Sequence, residues 1–280
     1  MTTEPRPCPP LCPAWAGVRC PVIGMVHLRA LPGAPGFGGS IGDVMDIALR
    51  DAALLERGGV DGLMIENFGD VPFFQGRVPA ETVAAVTRVA GAVRDAVSLP
   101  IGINVLRNDA LSALAVAAAV DASFVRVNVL SGTAVTDQGV IEGAAADVMR
   151  YRASLGASGT RVLADVRVKH AAPLVERPLQ DEVEELLHRA GADAVIVSGS
   201  GTGKPTDLGL LAEVAQYAEG RPVFVGSGVT CDTVPAMMQH AGGLIVGTGV
   251  KVDGDVAKPV DPERVRTLMQ AVRETENAAL

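Results

Sequence analysis

The chain has 280 residues, of which 48% are apolar and only 3% aromatic, and it carries a formal net charge of −8. That length accommodates one large domain, and the apolar share suffices for a large core. Scarce aromatics and scattered Lys and Arg argue against nucleic acid and an anionic membrane surface, and no apolar run reaches the ~20 residues of a membrane span.

Residues 1–20 read as a short irregular extension, because five prolines fall in the first thirteen positions and discourage any regular element. The start has no hydrophobic signal core, so a soluble, cytoplasmic protein is expected. Cys8, Cys12 and Cys20 have spacings that match no common zinc pattern, and Cys231 has no companion histidine nearby. They are expected to be thiols of a flexible tail and one isolated cysteine.

From Pro21 a β/α alternation begins and continues to the end, defining one domain over residues 21–280. Val22 to Leu28 forms the first strand. A Gly/Pro-rich loop follows, and Asp43 opens a helix that stops at Gly58 and Gly59. Gly62 to Phe68 is the second strand. Pro79 and Glu81 start a helix whose buried stripe is Val83, Val86, Ala90 and Val93. Pro100 to Leu106 is the third strand, after which Asn108 or Asp109 caps an Ala-rich helix. Phe124 to Val129 is the fourth. A polar loop from Ser131 to Gly139 then leads to a helix ending near Gly156. Arg161 to Val168 is the fifth strand, and its helix runs from Leu179 to Ala190. Ala194 to Ser198 is the sixth, with a Gly-rich loop and a helix capped by Thr206. The seventh and eighth strands are Pro222 to Val225 and Gly243 to Val246. Eight short, almost wholly apolar strands, each followed by a helix, imply a parallel sheet closed into a (β/α)8 TIM barrel. An open doubly wound sheet has no natural use for polar residues at nearly every strand end.

In such a barrel the C-terminal strand ends converge on one mouth. Here they supply His27, Glu66 with Asn67, Asn104, Arg126 with Asn128, Asp165 with Lys169 and His170, and Ser198. Glu66 and Asp165 would face each other across the mouth, where two carboxylates in different environments can divide acid and base roles. The alternative is that each pairs Arg126 or Lys169. Arg126 either binds ligand or forms a buried ion pair with Asp165. His27 could be a general base, a strut, or with Glu66 a partner of a divalent ion. No second histidine lies at ligand spacing, so no metal or other cofactor is expected. Lys169 could form a Schiff base or be held by Asp165. His27, Asn104 and Asn128 would orient substrate hydroxyls, and Asn67, His170 and Ser198 are further substrate-binding candidates.

The last two strands each break into Gly-x-Gly, at Gly226, Ser227 and Gly228 and at Gly247, Thr248 and Gly249. Such turns leave backbone N–H groups free and no Cβ in the way, and the loops after these two strands are the usual phosphate site of a barrel. Lys204 in the loop after the sixth strand, or Lys251, could reach that phosphate. Lys251 could equally be a solvated loop lysine. The stretch around Lys204 is not a P-loop, since Ser198 and Pro205 stand where that motif needs Gly and Ser or Thr.

Taken together, Val22 to Leu28 with Leu31 to Pro35, Glu66 to Phe73, Gly102 to Asp109, Arg126 to Asn128, Asp165 with Lys169 and His170, Val197 to Gly203, Gly226 to Thr230 and Gly247 to Lys251 resemble the BtpA/SgcQ family. The similarity runs from about Val22 to Arg273. It implies a (β/α)8 barrel. The family's name derives from a factor linked to photosystem I biogenesis in cyanobacteria, yet relatives occur in organisms without photosynthesis and some are grouped with sugar-uptake genes. Two functions remain open. One is an enzyme, an isomerase, a lyase or a glycosidic-bond-cleaving enzyme, acting on a phosphorylated small molecule such as a sugar phosphate or nucleotide. The other is a non-catalytic biogenesis or assembly factor that uses the barrel surface. A homo-oligomer is expected in either case.

Overall fold

The computed structural model describes residues 10–199 and 201–278. Eight parallel strands close into a barrel. In chain order they are β1 (Val22–His27), β2 (Gly62–Glu66), β3 (Ile101–Asn104), β4 (Phe124–Val127), β7 (Arg161–Val166), β9 (Ala194–Val197), β10 (Val223–Val225) and β11 (Gly243–Val246), with β11 pairing back onto β1. Each barrel strand is covered outside by helices, in order α1 (Ile41–Gly58), α2 (Ala80–Ala96), α3 (Ala110–Ala119), α4 (Ala145–Ser154), α5 (Leu179–Glu184), α6 (Leu208–Tyr217), α7 (Val234–Met237) and α8 (Pro262–Ala278). Outward-facing strand residues such as Val26, Ile65, Ile103, Val125 and Val197 are fully buried against Leu55, Val89 and Leu211 of these helices. Burying one such side chain contributes about 1.5–3 kcal/mol, so this annulus is the main stabilising layer.

Strand alternation sets the lumen. Ile23 and Met25 of β1, Met64 of β2, Phe124 of β4, Leu163 of β7, Ile196 of β9, Phe224 of β10 and Ile245 of β11 form a second, internal cluster. Two steps further along, the same faces carry His27, Glu66, Arg126 and Asp165. The register places His27 beside Glu66 and Glu66 beside Asn104, so apolar lumen layers give way to one polar layer at the mouth.

The lead segment departs from the expected irregular extension. Pro13–Trp15 forms a turn of 3-10 helix, and Trp15 enters the barrel floor, 3% exposed. Its indole N–H donates to the Asp61 carbonyl at 2.7 Å, and its ring lies 5.6 Å from Phe124 and 6.3 Å from Phe224. Gly102 and Gly243 make room for these rings: a Cβ would stand 2.0 Å from Phe124 and 2.2 Å from Phe224. Cys12 and Cys20 are buried, not on a flexible tail, and burial pushes the Cys20 thiol up to about 12. Cys8 lies outside the described residues.

Three further differences are local. The expected polar loop from Ser131 to Gly139 holds β5 (Thr133–Thr136), which forms a hairpin with β6 (Gly139–Glu142) and pairs on its other edge with β8 (Ala171–Pro173). This small antiparallel sheet stands beside the mouth. Asp207, not Thr206, caps α6 by accepting from the Gly209 and Leu210 amides, while the Thr206 hydroxyl donates to the Ser227 carbonyl. α1 begins at Ile41, two residues early, because the Ser40 hydroxyl accepts from the Asp43 amide.

Candidate functional site

The polar layer is held by one ion pair. Arg126 is 2% exposed and donates to Asp165 through Nε at 2.9 Å and Nη2 at 2.7 Å. Asp165 also accepts from Asn128 Nδ2 at 3.0 Å and Ser198 Oγ at 3.2 Å. Asn104 Nδ2 braces the pair from below by donating to the Arg126 carbonyl at 3.2 Å. Asp165 is therefore committed to four donors, and Ser198 and Asn104 serve it and Arg126. Of the two readings of Arg126, the buried pair is present, yet its Nη1 has no hydrogen-bond partner among the described residues, and Arg126 still lines the mouth.

Glu66 is placed differently. It is 5% exposed, and its carboxyl accepts no hydrogen bond among the described residues. Burial pushes it above the usual carboxylate range, with Lys169 and Arg126 pulling it partly back. His27 Nε2 lies 3.8 Å from Glu66 Oε1. Burial, with the charges of Lys251, Lys169 and Arg126, lowers His27 to about 3, so the contact joins a neutral imidazole and not an ion pair. Its Nδ1 is buried without a partner. Lys169 Nζ has no hydrogen-bond partner among the described residues, and burial and Arg126 push its ammonium down.

Beside these groups lies a cavity of 230 Å3 lined by His27, Glu66, Arg126 and Lys169 on one side and by both Gly-x-Gly turns on the other. The glycines are forced by crowding. A Cβ at Gly228 would lie 2.6 Å from Pro205 Cα, at Gly249 2.4 Å from the Val229 carbonyl, and at Gly247 2.8 Å from His27. The Gly226 amide donates to the Val197 carbonyl at 2.8 Å and is not free. The amides of Ser227, Gly228, Gly247, Thr248 and Gly249 have no acceptor among the described residues. Ser227 Oγ is buried in the same place, also without a partner. A second cavity of 360 Å3 meets the first at Glu66, Arg126, Lys169 and Thr202.

Not every expected residue is at the mouth. Lys204 is exposed and lines neither cavity; its loop turns it outward over Gly201. Asn67 is buried, with Oδ1 accepting from the Leu106 amide at 2.7 Å and Nδ2 donating to Asp70 at 3.0 Å, so it braces two loops. Lys251 is not solvated and does not line the glycine cavity: it is 1% exposed, and its ammonium pairs Asp51 at 2.5 Å. His170 sits on the rim of the second cavity, where its Nε2 accepts from the Thr202 amide at 3.3 Å. Sequence reasoning missed Arg264, in the first turn of α8, which lines the first cavity, and Arg107, which lines the second. Arg264 had no signal beyond its place after the last Gly-x-Gly. Arg107 follows a strand end but lies on a loop, where parity says nothing. Among the described residues no cluster of three or more His, Cys, Asp or Glu side chains is arranged to hold a metal, and no helix is long and apolar enough to cross a membrane.

The sequence pattern of the BtpA family matches residues 18–274. This chain belongs to the BtpA family. Among its BtpA-family relatives, an uncharacterized protein of Thermococcus kodakarensis is 47% identical over 262 residues, covering 94% of this chain and 98% of the relative. The photosystem I biogenesis protein BtpA of Synechocystis is 45% identical over 91% of this chain and 88% of its own length. The putative sgc region protein SgcQ of Escherichia coli is 32% identical over 91% and 95%. The fold is shared more widely. The N-(5'-phosphoribosyl)anthranilate isomerase of Pyrococcus furiosus superposes with a TM-score of 0.56 at 14% identity, over 91% of this chain and 99% of that one. The dihydropteroate synthase of Xanthomonas albilineans gives 0.59 at 17% identity, over 94% of each. At such identities the BtpA-family chain shares a TIM-barrel fold with these enzymes and no more.

Proposed function

We propose that this protein is an enzyme acting on a phosphorylated small molecule, with the phosphate held between the two Gly-x-Gly turns and proton transfer carried by Glu66. The observation that carries this reading is the row of amides at Ser227, Gly228, Gly247, Thr248 and Gly249 that lack internal acceptors, together with the buried, unpartnered Ser227 hydroxyl, around one cavity. The buried Ser227 hydroxyl is a donor left without an acceptor, which is costly, and an anion satisfies it together with several of the half-buried amides. The local charge agrees with this. Asp165 is neutralised by Arg126, which leaves Lys169 and Arg264 to favour an anion although the whole chain is acidic.

Across the cavity, Glu66 and Lys169 have pKa values displaced toward each other, by burial in both cases. Groups displaced in these directions are suited to exchanging protons with a substrate. His27, held neutral down to about 3, can accept or donate a hydrogen bond but brings no charge. Asp165 orients Arg126, and its two oxygens already accept four hydrogen bonds. This chemistry suits isomerisation or carbon–carbon cleavage next to a carbonyl of a sugar-like phosphate. Lys169 can serve such a reaction as a proton carrier or, once deprotonated, as an amine nucleophile.

A biogenesis role is the second reading, favoured by the name of the Synechocystis relative. It needs no open mouth. The test is a panel of sugar phosphates and their dephosphorylated counterparts, with binding followed by calorimetry and turnover by mass spectrometry. The phosphorylated forms are expected to bind at least about tenfold more tightly. Gly228→Val should abolish that preference, and Glu66→Gln should keep binding while losing turnover. A panel bound no better with phosphate than without it sinks the reading.

A further inference from the structure

The second cavity contains a charged group that the proton-transfer scheme does not use. Arg107, in the loop after β3, is 4% exposed. Its Nη2 donates to the Lys169 carbonyl at 2.6 Å, but Nε is buried with no partner, and Nη1 has none among the described residues. No carboxylate lies within 4.0 Å of it among those residues. A guanidinium taken out of water without a counter-ion is costly, so such a site favours an incoming anion. The carboxylates nearby are otherwise engaged. Asp165 accepts four hydrogen bonds, Asp137 is exposed and accepts from Gln138 at 2.5 Å, and Glu66 is buried with its carboxyl pushed toward the neutral form. Burial itself lowers Arg107, as expected of a cation with no close partner.

The rest of the cavity supplies an apolar wall from Phe68, Phe73 and Leu106, with Asn128 and Gln138 as polar neighbours. It joins the glycine-lined cavity at Glu66, Arg126, Lys169 and Thr202, so one molecule can lie in both with its middle over the proton-transfer groups. The volumes, 230 and 360 Å3, suit a small metabolite and not a macromolecule.

We infer that the substrate is doubly anionic: its phosphate occupies the glycine turns, and a second oxyanion, a carboxylate or another phosphate, is bound by Arg107. This inference rests on the phosphate reading above and adds the substrate's far end. Arg107 is then a specificity residue. Its planar fork grips a carboxylate or phosphate in two places, which a lysine cannot do.

The test uses calorimetry on the whole protein with two probe series of graded chain length, alkylphosphonates and phosphonoalkanoic acids. Wild-type protein should bind the alkylphosphonates. At one chain length the added carboxylate should tighten binding by about tenfold or more. Arg107→Met should remove that gain while leaving alkylphosphonate affinity within about twofold, and Arg107→Lys should retain only part of it. Gly228→Val should weaken both series together. If alkylphosphonates bind and no chain length shows a carboxylate gain, the Arg107 inference is overturned and the phosphate reading stands. A gain that persists in folded Arg107→Met also overturns it. Should alkylphosphonates fail to bind, or bind Gly228→Val equally well, the phosphate reading falls and this one with it. The wild-type series decides the matter even if Arg107→Met does not fold.

Discussion

Replacing Asp165 with asparagine keeps the side chain's shape and removes its charge. All four groups around that carboxylate are donors: Arg126 Nε and Nη2, Asn128 Nδ2 and Ser198 Oγ. Whichever way the new amide is turned, its NH2 faces a donor. The Arg126 guanidinium, with a side chain 2% exposed, is left buried without a counter-charge. Breaking a buried pair from one side costs about 3–5 kcal/mol. For a domain of this size, that lowers the melting temperature by about 6–12 °C, at roughly 2 °C per kcal/mol or slightly more. The double variant Arg126→Met/Asp165→Leu removes both charges and should recover most of the loss, since apolar replacements of a buried pair are often neutral. Scanning calorimetry on wild type, Asp165→Asn and the double variant checks this. If Asp165→Asn melts within about 2 °C of wild type, or the double variant melts no higher than the single, the pair does not hold the mouth as argued.

His27 makes stability depend on pH. An unfolded histidine protonates near pH ~6.5, whereas burial holds His27 neutral down to about 3. Between those values the unfolded chain binds the extra proton, so stability is intact above the upper value and is lost as pH falls, by about 1.4 kcal/mol per unit. Glu66 has the opposite sign: its raised carboxyl favours the fold at low pH, and that contribution fades as pH rises through its folded value. His27→Gln should therefore lose about 1–3 kcal/mol less than wild type between about pH 6.5 and about pH 4.5 in urea titrations, and identical curves would contradict the argument. At the floor, Trp15→Ala should cost about 3–5 kcal/mol while leaving phosphonate binding unchanged, because the cradle is at the other end. A melting temperature close to wild type would show that Trp15 does not support the barrel. Gly102→Ala, whose Cβ would stand 2.0 Å from Phe124, should destabilise by about 1–3 kcal/mol in the same assay. Retained stability there would mean that the ring shifts freely.

The barrel was legible in the sequence because its signals are local. Each strand is a short apolar run, each helix has its own cap or breaker, and alternation along a strand decides which residues share the lumen. The convergence of strand ends put His27, Glu66, Asn104, Arg126 and Asp165 at one mouth, where the register pairs His27 with Glu66 and Glu66 with Asn104, and where Arg126 bonds Asp165. The two Gly-x-Gly turns were equally plain, since crowding at Gly228, Gly247 and Gly249 excludes any side chain. The small β5–β6–β8 sheet escaped notice because its strands are only three or four residues long, and one of its pairings joins segments far apart in the chain.

Partners and exposure were decided only by the tertiary structure. Asp165 is separated from Arg126 by 39 positions and Asp51 from Lys251 by 200, and no local pattern says that one carboxylate is saturated while Glu66 is left unbonded. Lys204 and Arg107 look alike as loop cations. Packing turns the first to solvent and seals the second into a cavity without a counter-ion. Periodicity is a property of neighbouring residues, so the chain alone specifies elements and faces. Charge pairing and burial depend on distances between elements, and these exist only once the barrel has closed.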